Sequence, residues 1–146
     1  MKNKITTTVA IASALLCSSA MARDDVGSYD IKNALSSPDA IAKLGGSVKF
    51  YFGDQDYGKV VHDFGTFKTN KKTNAFNKSD KEACEWVFLS AMITLQERAL
   101  KEGANAVVDI KSNYKNNLTS SQETFQCGAG TFVAGVALTG KVVSLK

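Results

Sequence analysis

Apolar and polar residues alternate over Ser47–Phe52. Val48, Phe50 and Phe52 lie on one side and Lys49 and Tyr51 on the other, which predicts a half-buried strand. Gly53-Asp54-Gln55-Asp56-Tyr57-Gly58 has the composition of a turn. Lys59–Phe67 is therefore expected to return as the antiparallel partner, with Gly65 marking a bulge or a close approach. Thr69–Lys78 is polar, rich in Lys and Asn, and reads as a mobile loop. The period then changes from two to helical. Ser79-Asp80-Lys81-Glu82 is a capping box, and Gly103 is placed to end a helix that runs to Glu102. Its apolar residues form two rows, Trp86, Leu89, Ile93, Leu100 and Phe88, Met92, Leu95, Ala99. Together they exceed the usual stripe of about 100°. Such a helix needs two covers, the sheet and either the N-terminal lead-in or a second subunit.

Asn105–Lys115 alternates again. Ala106, Val108, Ile110, Ser112 and Tyr114 face one way and Asn105, Asp109, Lys111 and Asn113 the other, with Val107 alone breaking the pattern. Asn116–Ser121 is a turn, Gln122–Cys127 a strand, and Thr131–Leu145 a final strand or two. Residues 23–46 form a lead-in with one or two short helices, broken near Pro38, where Ser36-Ser37-Pro38-Asp39 resembles a helix start. The order β-β-α-β-β predicts an α+β fold: an antiparallel or mixed sheet of four or five strands with one long helix packed on one face.

The N-terminus changes the picture by adding a location. Lys2 and Lys4 precede a short apolar stretch, Ile5 to Leu16, and Ala20-Met21-Ala22 is an A-x-A cleavage signal followed by Arg23-Asp24-Asp25. This is the layout of a secretory signal peptide over residues 1–22, cut after Ala22, with a single domain over 23–146. The stretch is too short and too rich in Thr and Ser for a spanning helix, which needs about 20 apolar residues. No other span is expected. The product is periplasmic or secreted.

Charge excludes some partners. The chain is formally +4. Losing Lys2 and Lys4 leaves about +2, too weak to imply nucleic acid or an anionic membrane surface. Lys68, Lys71, Lys72, Lys78 and Lys81 are the one basic concentration. They read first as a solvated loop and helix start, and second as a site for an anionic partner.

Cysteine use fits export. Cys17 lies inside the leader; a lipoprotein would keep it as the acylated first residue, but Leu16 stands where a small residue is needed. Cys84 and Cys127 remain, an even number for an oxidising compartment. Gly103 reverses the chain, so the strand at 105–115 runs back beside the helix. The next strand then starts near the helix's N-terminal end and carries Cys127 on the same face as Phe125. A Cys84–Cys127 disulfide is therefore expected; its loop is worth about 4 kcal/mol in the chain-entropy account. The alternatives are two buried thiols or a metal or redox pair, although one imidazole and two thiols complete no standard zinc site.

Candidate chemistry is sparse. His62 is the single histidine, and neighbouring Asp63 points to the opposite face of its strand. No Ser or Cys stands at a recognisable spacing for a nucleophile–base pair. Asp54, Asp56 and Asp63 lack the spacing and terminal Glu of a calcium loop. Gly135–Lys141 matches G-x-x-x-x-G-K, but Val142 replaces the magnesium-holding Ser or Thr, and too little chain follows for the required helix. Tyr51, Tyr57, Phe64 and Phe67 read as core first and as an exposed aromatic patch second.

Leu95–Ser112 carries a helix ending in Gly-Ala-Asn-Ala-Val-Val that feeds a strand. It resembles small bacterial domains labelled heavy-metal-binding and an exported stress-sensing lipoprotein domain of the Rcs system. A wider set is Val48–Asp54, Cys84, Gly103–Ser112, Cys127-Gly-Ala-Gly130 and Val136–Gly140. That set most resembles a family of small secreted proteobacterial proteins often named "excinuclease ATPase subunit", over nearly the whole domain. The resemblance implies fold and location rather than an activity.

The expectation is an exported, non-enzymatic domain, without cofactor, that binds a protein partner or self-associates as a homo-oligomer. The alternative is a metal- or small-ligand-binding periplasmic protein using His62 with Asp54, Asp56 or a thiol.

Overall fold

The ends of the long helix are fixed by its own sequence. In a computed structural model, which describes residues 23–146, this helix (α3) spans Asp80–Glu102. Ser79 Oγ accepts from the Glu82 N–H at its start. Gly103 takes a left-handed conformation (φ 73°) at its end, where Ala104 N–H donates to Ala99 O and Gly103 N–H to Leu100 O. That pair of bonds is a Schellman closure, which satisfies carbonyls the helix leaves open. The predicted leader, with Cys17 and the cut after Ala22, lies outside the described residues.

Around α3 the elements follow in the order β1 (Asp25–Asp30), α1 (Ile31–Leu35), α2 (Pro38–Lys43), β2 (Lys49–Phe52), β3 (Val60–Asn74), then after α3 β4 (Ala106–Tyr114), β5 (Asn117–Thr119), β6 (Thr124–Ala129) and β7 (Val133–Leu145). The fold is α+β, with one mixed sheet of seven strands, more than the four or five expected. β7 is its axis. β3 runs antiparallel along one edge of β7 from Val60↔Leu145 to Asn74↔Val133. The other edge is shared: β6 pairs at Gly128↔Gly135 and Ala129↔Ala134, and β4 from Ala106↔Val143 to Ser112↔Leu138.

The expected hairpin between Ser47–Phe52 and Lys59–Phe67 does not form. β2 pairs in parallel with β4 instead, and the chain crosses from β2 to β3 at the far side of β7. The Gly53–Gly58 turn therefore begins a crossover rather than a tight hairpin. Nor does β3 stop at Phe67. It continues through Lys68–Asn74, because every second residue of this polar stretch (Phe67, Thr69, Lys71, Thr73) is at least half covered while Lys68, Asn70, Lys72 and Asn74 are exposed. The bulge expected at Gly65 is present: Gly65 has φ 98°, its N–H donates to Asp63 Oδ1 at 2.8 Å, and the register shifts between Asp63 and Thr66.

β4 departs from simple alternation. Asp109 adopts φ 51°, and the register against β7 slips between Val108 and Lys111. This extra residue is a bulge. It lets Val107 and Ile110 both join the core under α3, while Ala106 and Val108 meet Val143 on the opposite face beneath Tyr51, Tyr57 and Leu145. The expected single face of Ala106, Val108 and Ile110 is thereby split, and Val107 is no exception once the bulge is counted.

The helix has both of its covers. Val87, Phe88, Met92, Leu95 and Ala99 are buried with the sheet core, and Ile31 and Ala34 of α1 belong to the same cluster. Gln96 Nε2 donates to Lys43 O, and the Lys43 ammonium sits 5.0 Å from the centre of the Trp86 ring. The expected apolar row divides: Leu89 is buried, while Trp86 and Leu100 remain about half exposed. The lead-in helices start where their signals stand, α1 with Asp30 accepting from Asn33 N–H and α2 with Ser37 accepting from Ala40 N–H ahead of Pro38. β1 precedes them and pairs antiparallel with β6.

Cys84 and Cys127 are joined in a disulfide, with Cα atoms 5.9 Å apart and both side chains fully buried between α3 and β6. The bridge closes a separation of 43 residues. Replacing both cysteines by alanine is expected to lower unfolding free energy by about 4 kcal/mol in the loop-entropy account. Urea unfolding of the oxidised protein and the double variant measures this; equal midpoints would show that the bridge adds no stability.

Candidate interaction surface

The residues singled out for chemistry are dispersed. His62 lies on exposed β3 with its ring 4.3 Å from that of Phe64. Asp54 stands just past β2, on the other side of β7 and β4, where Gln122 Nε2 donates to it at 2.7 Å. That bond holds the Asp54 carboxyl below its ordinary range. Asp56 is exposed in the crossover loop, and both thiols are consumed in the bridge. Among the described residues, no group of three or more His, Cys, Asp or Glu side chains gathers as a metal site would require. The P-loop-like Gly135–Lys141 is the middle of β7, its backbone engaged in the sheet rather than turned toward a phosphate.

The four aromatic residues of the first strands do not make one patch. Tyr51 and Tyr57 pack together, ring centres 5.8 Å apart, over the small cluster on the helix-free face. Phe64 and Phe67 pack against the main core, and Arg98 of α3 lies 4.5 Å above the Phe67 ring. The exposed aromatic pair is elsewhere. Phe76 and Phe132 stack at 5.7 Å, nearly parallel, and are 54% and 64% exposed. They sit where β3 and β7 end together, held by Ala75 N–H donating to Phe132 O at 2.8 Å. No local pattern announces this pair, since only the β3–β7 pairing brings residues 76 and 132 into contact.

β3 supplies the second element of the surface. Among the described residues it pairs with β7 alone, so along its length a row of backbone N–H and C=O groups faces outward. Lys68, Asn70 and Lys72 project from its helix-free face, and the strand leads directly into the Phe76–Phe132 step.

The chain enters the domain beside this step. Arg23 pairs with Asp80 at 2.6 Å, at the start of α3, and also donates to Gly130 O. Asp24 accepts from the Lys115 ammonium and, at 2.9 Å, from the Tyr114 hydroxyl. Tyr114 lies across Gly128 and Gly135, where a Cβ on Gly128 would collide with its hydroxyl. The Lys115 and Tyr114 bonds hold the Asp24 carboxyl below its ordinary range, while burial, then Asp24, raise the Tyr114 phenol.

Comparison with family models, with curated proteins and with solved structures finds no match to this chain.

Because the folded Asp24 pKa lies below its unfolded value, its contribution is present at neutral pH and is lost as pH falls through the folded pKa. Asp24→Asn is therefore expected to lower the urea midpoint slightly at pH 7, with the gap closing below the ordinary carboxylate range, near pH 4. Urea midpoints followed from pH 7 to pH 2 check this; a gap that widens in acid would contradict the assignment.

Proposed function

We propose that this chain is an exported, non-enzymatic interaction domain that binds another protein along the open edge of β3. The observation that carries the reading is that 15-residue edge, unpaired on its outer side among the described residues and ending at an exposed aromatic stack. An edge of this kind is a ready template for an added strand.

Export rests on different ground. The leader-like residues 1–22 supply the address, and the buried Cys84–Cys127 bridge suits an oxidising compartment. No helix among the described residues is long and apolar enough to cross a membrane. The likeness to a family of small secreted proteins points the same way. The non-enzymatic reading rests on the lone His62, which has no Ser or Cys at nucleophile–base spacing.

Two measurements test the two halves. The intact mass from the native host should correspond to Arg23–Lys146 and rise by about two hydrogens on reduction. A lipid-bearing chain that starts at Cys17 would instead make this an anchored protein. For the interaction, a photoreactive residue at Asn70 should give discrete adducts in living cells, and one at Lys32 should not. Adducts missing from both positions, with normal protein levels, would remove the interaction reading.

A further inference from the structure

We infer that the partner added along β3 is an extended acidic segment, with acidic residues opposite Lys68 and Lys72 and an apolar residue at the Phe76 end. This deepens the interaction reading and rests on it.

Charge on the second half of this edge is one-sided: Asp63, the one carboxylate of β3, precedes it and accepts from the Gly65 N–H. From Phe64 to Ser79 the chain holds Lys68, Lys71, Lys72 and Lys78 and no Asp or Glu. The supporting strand, Val133–Leu145, adds Lys141 and no acid. The ion pairs among the described residues engage Arg23, Lys81, Arg98, Lys115 and Lys141, and none engages the four lysines of this edge. One carboxylate, Glu97, lines the groove beside Lys68, and it shares that groove with Arg98 and Lys101. The edge therefore presents uncompensated positive charge to any strand that approaches it.

Geometry turns that charge into a pattern. Lys68 and Lys72 lie on one face with Asn70 between them, so their Cα atoms are about 13 Å apart along the strand. A paired strand sets its own side chains on the same two faces, and opposite charges directly across a pair stabilise it. Acidic residues four apart on an added strand meet both lysines at once. Beyond Lys72 the same line reaches Phe76, whose exposed ring accepts an apolar side chain.

The same lysines argue against a second copy as the occupant. Antiparallel self-pairing centred on Asn70 sets each Lys68 directly against Lys72 of the other copy, and like charges opposed in this way are destabilising. Edge lysines are a common guard against unplanned strand addition. A guard made of one charge rejects strands like itself and admits a strand of opposite charge, so it also selects.

The test uses the protein purified after export and a synthetic peptide of alternating threonine and glutamate that ends in phenylalanine. Binding is followed by amide NMR. Shifts and slowed amide exchange are expected along β3, with affinity at least about tenfold above that of the same peptide carrying lysine for glutamate. K68E/K72E, two changes at exposed positions, should reverse the preference. Equal affinity for the two peptides, an unreversed preference in a folded K68E/K72E, shifts confined to α3 around the exposed Trp86, or no binding would each overturn the inference. So would a dimer at low salt by light scattering whose amide protection maps to β3. Adducts from Asn70 in cells without acidic-peptide binding would leave the interaction reading standing and this inference refuted.

Discussion

The seat of α3 on β7 depends on Gly140, which leaves room between Leu138 and Val142 of the same core-facing row. At Gly140 a Cβ would stand 2.6 Å from Val107 Cγ1 and 3.5 Å from Leu95 Cδ1. The space Gly140 leaves is filled by Val107 from β4. This explains why β4 breaks its alternation: Val107 and Ile110 must both face the helix, and strict period two would send them to opposite faces. The bulge at Asp109 reconciles the two demands, and Asp109 lies 3.6 Å from the Lys141 ammonium of β7. Any side chain at Gly140 would push β4, β7 and α3 apart together, and interiors packed to crystal-like density have little slack for that.

With that seat fixed, the rest of the frame is tied at one end. The disulfide joins the start of α3 to β6, and Arg23, just ahead of β1, pairs with Asp80 at the same helix end. Asp24 then holds β1 against the β4–β5 turn through Tyr114 and Lys115. The bridge is fully buried and acts through the unfolded chain, so it carries far more than the exposed ion pairs, which solvent screens. The tip bearing Phe76 and Phe132 adjoins this braced end, so the aromatic step is presented on a held framework.

What was legible in the sequence follows from the range of the interactions concerned. Ser79 and Gly103 act within a turn of their own helix, as do Ser37 and Pro38, and each boundary could be read directly. The Cys84–Cys127 pair could be argued from chain direction alone. β1 could not be read, because Asp25–Asp30 buries only part of Tyr29, stacked on Phe125, and has no apolar period. The partner of β2 was misread because a turn-like Gly53–Gly58 is equally compatible with a hairpin and with a crossover. The far half of β3 was misread for a related reason: its covered face is made of Thr69, Lys71 and Thr73, polar residues that signal a strand only once β7 lies beside them. The surface itself depends on the β3–β7 pairing, a contact between segments far apart in the chain, and so left no local trace.

The remaining edges of the sheet are much shorter than β3. β1 has six residues, β2 four and β5 three, lengths that offer an incoming strand few backbone bonds. β3 has fifteen. An edge of that length, left bare and apolar, would drive aggregation. β3 opens on the exposed Val60 and Val61, but its second half turns out Lys68, Asn70, Lys72 and Asn74, all polar and two of them positively charged, while Phe67 and Thr69 fasten it from below. The strand is thus stable without a neighbour yet fully formed for one. A closed sheet would have needed no such lysines, and a disordered loop would have carried the entropic cost of ordering before any partner could bind.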